Sequence, residues 1–212
     1  MGHGHGHGQS HHTPDGTFST LVSGPSVPIL SLAEAKAHCR VDFDDDDDLL
    51  TAYVQAATDM VDAEWGELGR ALVTQRWRTV MPAFPASGHF DLTPPPVKQI
   101  TSITYYDADN AEQTLDSNVY RLTVNGEFAG VDLVAGETWP ATYARDDAVS
   151  VEFDAGYGDA ASDVPEGIRL AARLMVGHWY ENRTAVAEKS MATLPMGVRA
   201  LLNKYRVVRG HI

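Results

Sequence analysis

The 212-residue sequence holds a single cysteine, Cys39. It excludes an intramolecular disulfide, and nothing else in the composition calls for an oxidising compartment, so a cytosolic origin is expected. No apolar run approaches the roughly 18 to 20 residues that a membrane helix requires, and the N-terminus carries no apolar block of a secretion signal. The expected protein is soluble, with no membrane partner. Basic residues are also scarce: 16 Lys and Arg against 29 Asp and Glu give a net charge of -13. That balance argues against a protein that grips nucleic acid through its phosphates.

What is present is unevenly distributed. Residues 1–168 carry 8 basic and 27 acidic side chains, whereas residues 169–212 carry 8 and 2. An acidic body therefore ends in a basic tail, a split that suggests two surfaces with different partners.

The organisation read along the chain has five parts. Residues 1–26 alternate His with Gly, hold five of the nine histidines, show no apolar periodicity and are expected to be a disordered leader or tag. Residues 27–70 read as N-terminal helices. Ser31 and Glu34 form a capping box that starts a first helix at Leu32, ending near Arg40. A second helix is expected from Asp47 to about Leu68, because Leu50, Tyr53, Val54, Ala57, Met60, Val61, Ala63, Trp65 and Leu68 recur at spacings of three and four.

Over residues 71–158 the helical period gives way to β-branched and aromatic runs. Strands are expected at 73–81, 99–106, 119–124, 130–133 and 148–154, with a hairpin turn at Asp107-Ala-Asp-Asn110. Residues 159–204 return to helix: Pro165 opens a third helix with Asp163 as its cap, and Ile168, Ala171, Ala172, Met175, Val176, Trp179 and Tyr180 form its apolar stripe. Residues 184–193 read as a mobile loop, one or two helical turns follow through Leu201 and Leu202, and residues 205–212 form a basic tail. The fold class is α+β, a small helical core with an inserted antiparallel β subdomain.

Candidate chemistry is thin. The run Asp44 to Asp48 fails the calcium-loop spacing in both registers, since neither Gly nor Glu falls where that loop needs it. Its simpler role is to stabilise the second helix through its dipole. Gly156-Tyr-Gly158-Asp-Ala-Ala161 has the form of a dinucleotide fingerprint, but the helix begins too late to receive a pyrophosphate. His178 and Glu181 have a metal-ligand spacing without further inward carboxylates, and His38 and Cys39 point in different directions. No nucleophile elbow or P-loop appears. A metal-dependent enzyme using the Asp44–Asp48 run and His178 stands as an alternative; the main reading has no enzyme, no cofactor and no metal.

Several segments in this order resemble the head-tail connector, or adaptor and head-completion, proteins of tailed bacteriophages, prophages and gene transfer agents. They are Leu30-Ser-Leu-Ala-Glu-Ala-Lys36, Arg40-Val-Asp42, Asp48-Leu-Leu50, Gln75-Arg-Trp77, Leu92-Thr-Pro-Pro-Pro-Val97 and Ile103-Thr-Tyr-Tyr-Asp107. The likeness continues through Phe153-Asp-Ala-Gly-Tyr-Gly158, Val164-Pro165, Gly177-His-Trp-Tyr-Glu-Asn-Arg183 and Leu194-Pro-Met-Gly-Val198. It covers about residues 29–208. The resemblance implies a structural ring of about twelve copies, monomeric or not in isolation, in a particle neck assembled in the bacterial host cytoplasm. Its implied partners are a portal protein above and a tail or stopper protein below, with DNA passing through unbound. It also implies that Tyr205, Arg206, Val207, Val208 and Arg209 reach the portal. A neck or tail-completion protein one layer further down is the nearest alternative.

Overall fold

A computed structural model describes residues 11–12, 16–62, 66–183 and 196–207. The chain forms two units, each assembled from separated stretches. The β unit takes residues 1–23, 76–93 and 99–154; the helical unit takes 24–75, 94–98 and 155–212. The described part is α+β, with four α-helices, a 3-10 turn at Ala161–Asp163 and two sheets.

In the helical unit, α1 (Leu32–Cys39) starts at the capping box read from the sequence: the Glu34 amide donates to Ser31 Oγ at 3.2 Å and the Ser31 amide to Glu34 Oε2 at 2.9 Å. It stops at Arg40, whose left-handed backbone (φ 57) lets its amide reach back to Lys36 and Ala37. Helix α2 (Asp47–Val61) buries Leu50, Tyr53, Val54, Ala57, Thr58 and Val61, one face at helical spacing. It ends earlier than its periodicity suggested. Asp62 turns extended, and its carboxylate accepts from the Leu72 amide and the Gln75 side chain, so Leu68 is buried from a loop instead. Ala63 and Trp65 lie outside the described residues.

Helix α3 (Glu166–Glu181) buries Ile168, Ala171, Ala172, Met175, Val176 and Trp179. Its alanines let α2 come close, and Trp179 meets Tyr53 ring to ring at 5.9 Å. The cap expected at Asp163 is a correction: Pro165 occupies the cap position, and the Asp163 carboxylate accepts from the Ala160 amide at 3.0 Å. The side chain therefore closes the preceding 3-10 turn. Helix α4 (Met196–Asn203) adds Val198 and Leu202 to the core. The loop read at 184–193 lies outside the described residues.

The described residues form nine strands, which lie in the β unit apart from the end residues Gln75, Val97, Lys98 and Ala155: β1 His11–His12, β2 Phe18–Ser23, β3 Gln75–Met81, β4 His89–Leu92, β5 Val97–Tyr106, β6 Glu112–Thr114, β7 Tyr120–Asn125, β8 Phe128–Leu133 and β9 Val149–Ala155. One sheet has the order β1-β2-β3-β9-β5-β6, the other β4-β8-β7. Strand β9 alternates cleanly, with Val149, Val151 and Phe153 buried. On the other face Arg76 and Arg78 of β3 meet Asp154 and Glu152 of β9. Strand β2 corrects the expected disorder for residues 18–23, because Phe18–Ser23 pairs with Arg76–Val80 of β3; residues 1–10 and 13–15 lie outside the described residues. The residues of β2 show no alternation, with Phe18 to Leu21 all half-buried, so the sequence carries no period-two signal there. The hairpin turn at 107–110 forms as read: Asp107 Oδ1 accepts from the Asp109 and Ala111 amides, and Asn110 is left-handed.

Among the described residues no helix is long and apolar enough to cross a membrane.

Candidate functional site

The proposed tail begins where α4 ends, and its first residues lie against their own unit. The Tyr205 amide donates to the Leu202 carbonyl at 2.9 Å. The Tyr205 ring packs over Gly167 on α3, so closely that a Cβ there would sit 2.6 Å from the phenol oxygen. Arg206 Nε donates to the Glu67 carbonyl at 3.1 Å, its guanidinium pairs with the Glu67 carboxylate, and the Val207 amide donates to the Leu68 carbonyl at 2.9 Å. Residues 205–207 are thus a docked strap and not the freely extended tail that their basic character suggested. Val208 and Arg209 lie outside the described residues. Gly167, early in an otherwise amphipathic helix, was the one local sign of close approach; nothing near Glu67 announced its part.

The acidic run is used to tie helices. Lys36 Nζ of α1 lies 2.7 Å from Asp44 and 2.6 Å from Asp47. The Tyr180 hydroxyl of α3 donates to Asp46 at 2.7 Å, and Arg183 pairs with the same carboxylate at 2.7 Å. The Lys36 ammonium holds Asp44 below the usual carboxylate range, and the Tyr180 hydroxyl, joined by Arg183, does so for Asp46. Asp47 and Asp48 also occupy the first turn of α2, as the dipole argument expected.

His178 is exposed at the end of α3, with Nδ1 3.4 Å from the Asn182 amide nitrogen. Among the described residues no group of three or more His, Cys, Asp or Glu is placed to hold a metal. The Asp run and His178 thus form no such group among the described residues, and Asp46 instead meets Tyr180 and Arg183 of the α3 end.

Gly156 and Gly158 serve the chain turn out of β9. Gly156 (φ 135) lies against the backbone of Val73 and Thr74, and Gly158 lies beneath Asp163. Side chains at either position would collide there, which explains the glycines without a nucleotide. An open pocket of about 410 Å³ is lined by His38, Cys39, Arg40, Gly177, Tyr180 and Glu181. Burial, then the nearby Glu181 charge, pushes the Cys39 thiol up, away from the reactive thiolate.

Among the described residues the helical unit is tied together by ion pairs and by the strap at 205–207. The chain belongs to the head completion protein family, whose model matches residues 28–208. It is a structural protein of the phage head–tail class and not an enzyme. Among solved structures it is similar to a chain of the virion of a native gene transfer agent particle: 25% identity, TM-score 0.72, covering 91% of this chain and 96% of that one. It has the same fold as chains from the neck of an empty gene transfer agent particle computed with C6 symmetry and from the neck of a native one computed with C12 symmetry. The first has 24% identity, TM-score 0.70 and coverage of 91% and 96%; the second has 24%, 0.60, and 90% and 97%. Among curated proteins none matches this chain.

Proposed function

We propose that this protein is a head-tail adaptor: copies form a ring beneath the portal vertex of a filled capsid, and the ring receives the next tail component and encloses the path of the DNA. The family match over residues 28–208 carries the reading. The C12 and C6 symmetry stated for the similar neck structures supports a ring. A closed ring uses one heterologous contact repeated around an axis, so each copy presents two different faces to its neighbours. A net charge of -13 suits a conduit, because an acidic lumen repels phosphate and lets a duplex slide.

The C-terminal segment remains the proposed portal contact, with one refinement. Arg206 is paired with Glu67, and Arg209 adds a second arginine to this segment for the portal contact. The test is co-assembly of purified portal with the full chain and with a chain lacking residues 208–212. A ring on the portal from the full chain, and none from the truncated one, is expected. Absence of any complex with the full chain would overturn the adaptor reading, and equal binding by both would overturn the role of the tail alone.

A further inference from the structure

The small sheet β4-β8-β7 has a polar face built around a histidine. Pairing of His89 with Asp132, Asp91 with Gly130, Arg121 with Asp132 and Thr123 with Gly130 places these residues on one side of the sheet. The apolar side chains Phe90, Leu92, Leu122 and Val131 take the other side. At the centre of the polar face stands Gly130, and the His89 ring lies over it: a Cβ on Gly130 would be 2.5 Å from His89 Cε1. The missing side chain makes room for an imidazole to lie across the sheet. His89 Nδ1 is 2.7 Å from Asp132 Oδ1 and Nε2 is 3.1 Å from Asp91 Oδ1. Asp132 is itself fixed, since its second oxygen accepts from the Thr123 hydroxyl of β7.

We propose that His89 is a proton-operated fastener: while charged it bridges two carboxylates, Asp132 of the β7–β8 hairpin and Asp91 of its own edge strand β4, and it lets one of them go when it deprotonates. A neutral imidazole has one N–H and cannot donate to both Asp132 and Asp91; the charged ring has two. The groups facing it are Asp91 on its own strand, Asp132 on β8, and on β7 Arg121, whose charge acts on Asp132. The hydrogen bond to Asp132 comes first, and with Asp91 it outweighs partial burial to raise His89 above its ordinary 6.5. Proton loss therefore removes one N–H donor and leaves this exposed face one unit more negative. Because the folded value is raised, the stability added by the second hydrogen bond is fully present below the unfolded value and is lost as pH rises through the folded one.

The test is an NMR titration of the imidazole nitrogens in the full chain, with the His89 signal assigned among the nine histidines by through-bond and through-space correlations. A midpoint above 6.5 is expected, lowered by the isosteric D132N and by D91N. Independently, the thermal midpoints of the wild type and H89Q are expected to differ most near about pH 5.5 and to converge by about pH 9. A midpoint at or below 6.5, or one that D132N leaves unchanged, would overturn the proposal. So would a gap between wild type and H89Q that is constant across pH, the mark of a merely structural histidine.

Discussion

The two units carry their ion pairs differently. In the β unit three charged contacts run straight across neighbouring strands: Arg76 to Asp154, Arg78 to Glu152 and His89 to Asp132. Each exists only if the ladder has its register, so these pairs report pairing more than they create it. In the helical unit, where no ladder sets the partners, side chains tie one helix to another or to the segment before it: Asp46 to Tyr180 and Arg183, and Glu34 to Arg169. Glu34 closes the α1 capping box and also receives Arg169, whose Nε donates to the Ile29 carbonyl. Burial pushes the Glu34 carboxyl up, but Ser31 and then Arg169 more than reverse this and hold it below the usual range. A local helix-start signal has become a long-range tie.

Substitutions can break this contrast from either side. The largest effect is expected from Trp179→Ala, which removes a 2% exposed ring from the helical core and its contact with Tyr53. A loss of about 3–5 kcal/mol in denaturant unfolding is expected. Gly130→Ala tests the sheet. The new Cβ would meet His89 and, at 2.8 Å, the Phe90 carbonyl, so a loss of about 1–3 kcal/mol is expected, read as a lowered thermal midpoint.

Ser31→Ala strikes the capping box alone and should cost about 1 kcal/mol, measured by urea unfolding. The smallest effect belongs to Asp46→Asn. The Asp46 carboxyl titrates below its ordinary 3.8, so its stabilising part is present above that value and lost as pH falls through the folded one. Acid unfolding of D46N should accordingly show a weaker pH dependence at its acidic end than the wild type. An unchanged acid profile would mean that exposure to water and salt cancels the contact with Tyr180 and Arg183.

The contrast also explains what could be read from the sequence. Capping at Ser31, the stripes of α2 and α3, the turn at Asp107 and the alternation of β9 are recorded within a few residues of where they act. Strand β2 was missed because its partner is β3, more than fifty residues away, and the three residues of β6 are all exposed. The early end of α2 was hidden for the same reason: the Asp62 carboxylate is held by the Leu72 amide and by Gln75, outside any helical window. At the candidate site the basic residues of the tail were visible, but Glu67 and Gly167, which hold Arg206 and Tyr205, gain meaning only once the chain is folded.

The alternation of the chain between its two units has a consequence for synthesis. By the time Asp154 leaves the ribosome every strand of the β unit up to that residue has been made, whereas α3 and α4 are still to come. Until then Leu50, Val54 and Ala57 of α2 have no α3 to cover them, although all three are buried in the finished unit. Growth is directional, and exposed apolar faces on nascent chains invite aggregation. The acidic run at the start of α2, together with its neighbours, gives that waiting segment charge before its permanent cover arrives. The same carboxylates meet Lys36 of α1 and, once α3 has been made, Tyr180 and Arg183.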